Sequence, residues 1–221
     1  ELLAETIGKP EYMEMQKAIS KDAITLVKYK DKDVFPITPE RYKRVMIVHI
    51  KGNNGAMGEL MKAMGFGGGN PAEALKERLC AKGFDAFIYE SPIDAMAKKA
   101  AAGEKVSIDM YFAGKNAIAD FVAGQDLILT VCDVPNGRPS FGMSKGGGEI
   151  PWYVFELPVV VIGTGAPTML ADMPQARTYI NAYDKLDSTL DALVDQLMAG
   201  PDAFKGKDPI DSFCGLFDAR L

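Results

Sequence analysis

The stretch Asn136–Glu149, NGRPSFGMSKGGGE, gathers the residues of this chain best suited to chemistry on a ligand. Arg138 can clamp an anion or a sugar hydroxyl with its planar fork of donors, Lys145 can assist, and Glu149 can serve as acid or base. Cleaving a glycosidic bond takes two carboxylates at a set separation across it, and Glu149, Glu90 and Asp133 are each candidates for one half of such a pair. A loop carboxylate is more often simply hydrated, so residue type alone assigns none of them. His49 is the only histidine and lies in an apolar run. Without a second histidine, a metal site would need carboxylates or cysteines to converge on it. No GxSxG elbow accompanies it to suggest a hydrolase triad. The plain expectation for His49 is a strand residue near the C-terminal edge of a sheet, where its ring finds a hydrogen-bond partner.

Two glycine-rich stretches invite a phosphate. Gly163-Thr164-Gly165 leaves an apolar strand ahead of a short helical segment, where exposed N–H groups could hold an anion. Thr168 stands where the third glycine of a dinucleotide fingerprint belongs, and the acid about 20 residues on, Asp184, falls beyond the next strand rather than at its tip. Gly65–Gly69 lacks the Lys-Ser/Thr of a phosphate loop. The plainer readings are a tight turn off a strand for the first and a loop feeding a helix cap for the second. Cys80, Cys132 and Cys214 are three in number, far apart and without a CxxC pair, which predicts buried free thiols rather than a disulfide framework or a metal site.

The elements that must position these residues follow from periodicity. Tyr12, Met15, Ile19, Ala23 and Leu26 recur at helical spacing, so a helix is expected from Pro10 to about Val27. Val45–Ile50, Phe84–Tyr89, Leu127–Cys132, Val159–Ile162 and Thr178–Ala182 read as buried strands of the parallel type. Asn70, Pro71 and Glu73 supply an N-cap, a first-turn proline and an acid for a helix reaching Ala81, which Gly83 ends. Short helices are expected over Glu59–Met64, Ile93–Ala102 and Lys115–Val122. Ser188 and Asp191 suggest an acidic capping box opening a helix with the face Leu190, Leu193, Val194, Leu197 and Met198, closed by Gly200. Strands alternating with helices predict one α/β domain, a three-layer αβα sandwich on a mostly parallel sheet of about six strands.

Composition narrows the function classes. With 48% hydrophobic and 25% charged residues, this is an ordinary globular composition. The net charge is −5 and the basic residues are scattered, which argues against a nucleic-acid partner or an anionic-membrane surface. No apolar run approaches the ~20 residues of a membrane span, and nothing points to a cofactor. The chain opens on Glu1 in what reads as the tail of a helix, so it looks excised from something longer, and the compartment, cytoplasm or cell envelope, stays open.

Several segments resemble one family. Lys21–Ile37, KDAITLVKYKDKDVFPI, is similar to the opening of the C-terminal domain of family 3 glycoside hydrolases. Arg44–Val48 is similar to its first strand and Asp126–Val131 to its "aDliiyv" strand. Leu157–Tyr183 is the strongest match, with "LGxPYLLADFPQVKTYINAY" in the β-N-acetylhexosaminidase branch, and Gly206–Leu221 resembles the tail of bacterial members. The resemblance implies a parent enzyme that hydrolyses terminal β-linked N-acetylglucosamine. In that family an N-terminal (β/α)8 barrel binds the amino sugar and carries the aspartate nucleophile and, in a loop marked "KHFPGHG", a His-Asp acid/base. Neither the barrel nor that motif occurs in this chain, so no catalytic residue is expected here and the fragment alone is expected to be inactive. Residues 1–27 would be a linker helix from the missing barrel, and 28–221 a single C-terminal α/β domain. In the β-glucosidase branch a glutamate from this domain serves as acid/base, and near its place this chain has Met143, which cannot transfer a proton. Glu149 remains the weak alternative, and Arg138, Lys145, Glu149 and Asp133 are candidates for the substrate rim. A non-catalytic module binding a sugar or nucleotide is the other alternative.

Overall fold

The computed structural model describes residues 9–51, 69–90, 92–107, 122–134 and 157–208. Six strands form one sheet: β1 (Thr25–Tyr29), β2 (Arg44–Lys51), β3 (Asp85–Ile88), β4 (Leu127–Asp133), β5 (Val159–Gly163) and β6 (Thr178–Asn181). Their order is β1-β6-β5-β4-β2-β3. Every pair is parallel except β1 with β6, which is antiparallel. Helices α1 (Pro10–Ala23), α2 (Pro71–Ala81), α3 (Pro92–Ala101) and α4 (Asp187–Ala199) alternate with them, which makes an α/β fold. No helix among the described residues is long and apolar enough to cross a membrane.

The central strands are buried on both faces, as a covered parallel sheet requires. On one face Val45, Ile47, Leu127, Leu129, Val160, Ile162 and Ile180 pack under Leu75 and Leu79 of α2 and Leu190, Leu193 and Leu197 of α4. On the other, Met46, Val48, Ile128, Cys132, Val161 and Tyr179 meet Met169, Leu170 and Met173 from the 3-10 segment Pro167–Asp172 and its C-cap. Helix α2 starts as its sequence predicts: the Asn70 side chain accepts from the Ala72 N–H at 3.1 Å. Asn70→Ala leaves that N–H without its cap and lowers stability by about 1 kcal/mol, measurable as a shift in the urea midpoint at unchanged slope. Gly83, at φ +96, adopts the left-handed conformation that ends this helix.

Two sequence expectations change. The first helix stops at Ala23 instead of running to Val27, because β-branched Ile24, Thr25 and Val27 pass into edge strand β1, where the chain pairs with β6. Helix α4 is not opened by a capping box. Its N-cap is Leu186, without a side-chain cap. Ser188 instead meets the Ser20 hydroxyl at 3.0 Å, and Asp191 pairs with Arg78 at 2.6 Å. Gly200 closes this helix as expected, at φ +107. The helices expected over Glu59–Met64 and Lys115–Val122 lie wholly or almost wholly outside the described residues.

Candidate functional site

Parallel β2 and β4 are in register so that His49 lies opposite Val131 and Lys51 opposite Asp133. With a period of two, His49 and Asp133 emerge on the same face of the sheet at its C-terminal edge, where open α/β sheets present their ligand crevices. The His49 Nε2 is 3.8 Å from Asp133 Oδ2, with side chains 8% and 18% exposed. That spacing is too long for a hydrogen bond, and Nε2 is buried without a hydrogen-bond partner. Lys185, in the connection from β6 to α4, donates from Nζ to both carboxylate oxygens of Asp133 at 3.0 Å. Burial pushes the Asp133 carboxyl upward, but the His49 ring and the Lys185 ammonium outweigh it and hold the group below its ordinary value. The result is a half-buried His49–Asp133–Lys185 cluster at the mouth of the fold.

Sequence reasoning found His49 and Asp133 singly and missed both their pairing and Lys185. The Nε2 atom of His49 does not obtain the hydrogen bond expected of the ring. Arg138, Lys145 and Glu149 lie outside the described residues. Glu90 is not brought to Asp133: it leaves edge strand β3, on the far side of β2, and pairs with Lys98 at 2.5 Å. Among the described residues no group of three or more histidine, cysteine, aspartate or glutamate side chains could hold a metal ion.

The Gly163–Gly165 turn is built for packing. The Thr164 N–H donates to the Cys132 carbonyl at 3.1 Å, and its hydroxyl donates to the same carbonyl at 3.2 Å. Both donors that a phosphate would use at Thr164 are therefore taken. Cys132 is buried as expected, with Sγ 3.8 Å from Met173 Sδ, and burial pushes its thiol far up, which makes it inert as a nucleophile. Cys80, expected to be buried, is exposed, because it faces outward from α2 while Leu75 and Leu79 face the sheet. Cys214 lies outside the described residues. A cleft of about 540 Å³ opens at the opposite, N-terminal edge of the parallel strands, between Lys30, Arg41, Tyr42, Pro158 and Arg177. Arg177 and Asp31 pair across it at 2.5 Å, so this ion pair is internally engaged and lies on the edge away from the His49 cluster.

The α/β fold of this chain is shared with known enzymes. No family model matches the chain. A β-N-acetylglucosaminidase/β-glucosidase of Cellulomonas fimi is 27% identical over 221 residues, 99% of this chain and 35% of that enzyme. The chain thus spans about a third of the length of the curated relative it matches. A β-glucoside phosphorylase, BglX, superposes with a TM-score of 0.67 at 25% identity over 98% of this chain and 34% of its own. A family 3 β-N-acetylglucosaminidase from Paenibacillus sp. str. FPU-7 has the same fold, with a TM-score of 0.56 at 15% identity over 92% of this chain and 33% of its own. In sequence and fold the chain thus resembles the C-terminal part of glycoside hydrolase family 3 enzymes.

Proposed function

We propose that this chain is the accessory C-terminal domain of a bacterial enzyme that hydrolyses terminal β-linked N-acetylglucosamine. The observation that carries this reading is the Cellulomonas fimi relative, which matches 99% of this chain while extending well beyond it. The family resemblance puts the nucleophile and the His-Asp acid/base on an N-terminal barrel, so a retaining mechanism has no covalent intermediate without that barrel. Helix α1 is then the link, and the α/β domain proper runs from β1 onward. Arg138, Lys145, Glu149 and Asp133 would line the rim of the barrel's active site.

The test compares this chain with its full-length parent on a chromogenic β-N-acetylglucosaminide at matched molar concentration. Activity in the parent alone is the expected result. Turnover by the fragment would overturn the reading and direct attention to Asp133 and His49. Glu149→Gln in the parent separates the β-glucosidase-type alternative, since turnover collapses only if this domain supplies the acid/base.

A second reading is favoured by the 25% identity to a β-glucoside phosphorylase. In it the glycosidic C–O bond breaks, a phosphate oxygen bonds to the anomeric carbon, and a proton passes to the departing alcohol. Adding inorganic phosphate to the parent distinguishes the two: a sugar 1-phosphate appears only under this second reading.

A further inference from the structure

Helix α1 turns its polar side to the domain and its apolar side away. Ser20 is its one buried residue. It rests on α4 through hydroxyls: Ser20 Oγ lies 3.0 Å from Ser188 Oγ, and Thr189 Oγ1 donates to it at 3.1 Å. Gln196 Nε2 donates to the Lys21 carbonyl at 2.6 Å. On the outward side Tyr12, Met15 and Ile19, three and four residues apart and therefore one stripe, are 46%, 59% and 62% exposed, with Met13 beside them at 49%. A surface helix ordinarily buries its apolar stripe against its own core, and a contiguous exposed apolar patch marks an interaction site.

We infer that this stripe is the face on which the rest of the parent polypeptide docks, an inference that rests on the accessory-domain reading above. The Cellulomonas fimi enzyme and BglX both continue well past the matched region, this chain covering 35% and 34% of them, so in each the additional chain is covalently attached. Four side chains fall short of the roughly 800 Å² per partner that a standard interface between separate molecules buries. A tethered domain needs much less, because the linkage supplies a high effective concentration. An attached domain, not a second copy, therefore fits the size of the patch.

The deciding experiment introduces Met15→Glu together with Ile19→Glu into both this chain and the full-length parent, and follows trypsin cleavage within α1 and thermal unfolding. In the chain alone the pair leaves the melting temperature unchanged, since both side chains already face water. In the wild-type parent α1 resists trypsin relative to the chain alone. The substituted parent loses that protection, with cleavage about tenfold faster as the undocked population rises. Substituted and wild-type parents cut equally slowly would overturn the stripe while leaving docking by another face. A wild-type parent cut in α1 as fast as the isolated chain would remove docking itself, and the accessory role with it. Concentration-dependent dimerisation of the wild-type chain, abolished by the substitutions, would identify a second copy as the occupant and also overturn the inference.

Discussion

Gly163→Ala is expected to destabilise the domain by about 2 kcal/mol, and Tyr179→Phe to restore most of that loss. A Cβ at position 163 would press on the Tyr179 hydroxyl well inside van der Waals contact, and would also lie 3.1 Å from Asn181 Oδ1 and 3.3 Å from Tyr179 Cζ. Tyr179 is fully buried in the sheet and cannot swing aside, so the extra methyl is overpacking in a rigid core, where costs run from ~1 to 3 kcal/mol. The obstructing atom is itself poorly used. Tyr179 Oη is buried with no hydrogen-bond partner, and burial pushes its ionisation far up, so it stays a neutral, unsatisfied hydroxyl. Removing it by Tyr179→Phe should be neutral or slightly stabilising. Urea unfolding of the two single variants and the double variant forms a cycle with a coupling energy of about 1–2 kcal/mol. If Gly163→Ala costs as much in the Tyr179→Phe variant as in the wild type, the collision is not the cause.

That cycle also bears on what the sequence could tell. Gly163-Thr164-Gly165 has the wording of a phosphate turn, and nothing in the linear sequence announces that a tyrosine sixteen positions on will lie against the first glycine. The contact exists because Val161 pairs with Tyr179 and Gly163 with Asn181 across β5 and β6, a register known only once the strands are laid side by side. The five parallel strands themselves were legible, because a strand buried on both faces needs an unbroken apolar run, and LILTVC and VVVI are such runs. Edge strand β1 was not. TLVKY carries a lysine, and its pattern continues the helical spacing of Tyr12, Met15 and Ile19. Yet those three residues do not face the core; the periodicity was real, but it marks an exposed face rather than a buried one.

The candidate site was legible as residues and illegible as an arrangement. Asp133 stands out as the acid that ends an apolar strand, and His49 as the lone imidazole, eighty-odd positions apart. Topology brings them together, since β4 is inserted beside β2 while β3 is displaced to the edge. Lys185 gave no signal, because a lysine after a strand is ordinarily a solvated one, and only the connection from β6 to α4 brings its ammonium to the carboxylate. Glu90, equally plausible by sequence, ends on the far side of β2 and was excluded by strand order alone.

Asp133→Ala should cost about 2 kcal/mol near neutral pH and produce a loss that fades in acid. Two 3.0 Å bonds from Lys185 to a carboxylate that is 18% exposed are charge-assisted contacts of the stronger kind, ~1.5–3 kcal/mol. The loss stays below that of breaking a fully buried pair, because Lys185, 30% exposed, can turn its ammonium to water. The folded-state value of Asp133 is depressed. Its contribution is therefore fully present above the unfolded carboxylate value of about 3.9, and is lost as pH falls through the lower folded value. The gap between wild type and Asp133→Ala should thus hold from neutrality to about pH 4 and then close. Lys185→Met works the other way: burial is then opposed by His49 alone, the Asp133 value rises, and the acid limb of the stability profile moves to higher pH. A gap that does not narrow at all as pH falls below about 4 would mean the side chain is not held as a carboxylate. The same variants decide whether the cluster does more than hold strand ends together. In the full-length parent, Asp133→Ala with unimpaired kcat at temperatures where it is folded makes the cluster a structural clasp. A fall in kcat without a matching loss of stability places Asp133 on the substrate rim, where the sequence first suggested it.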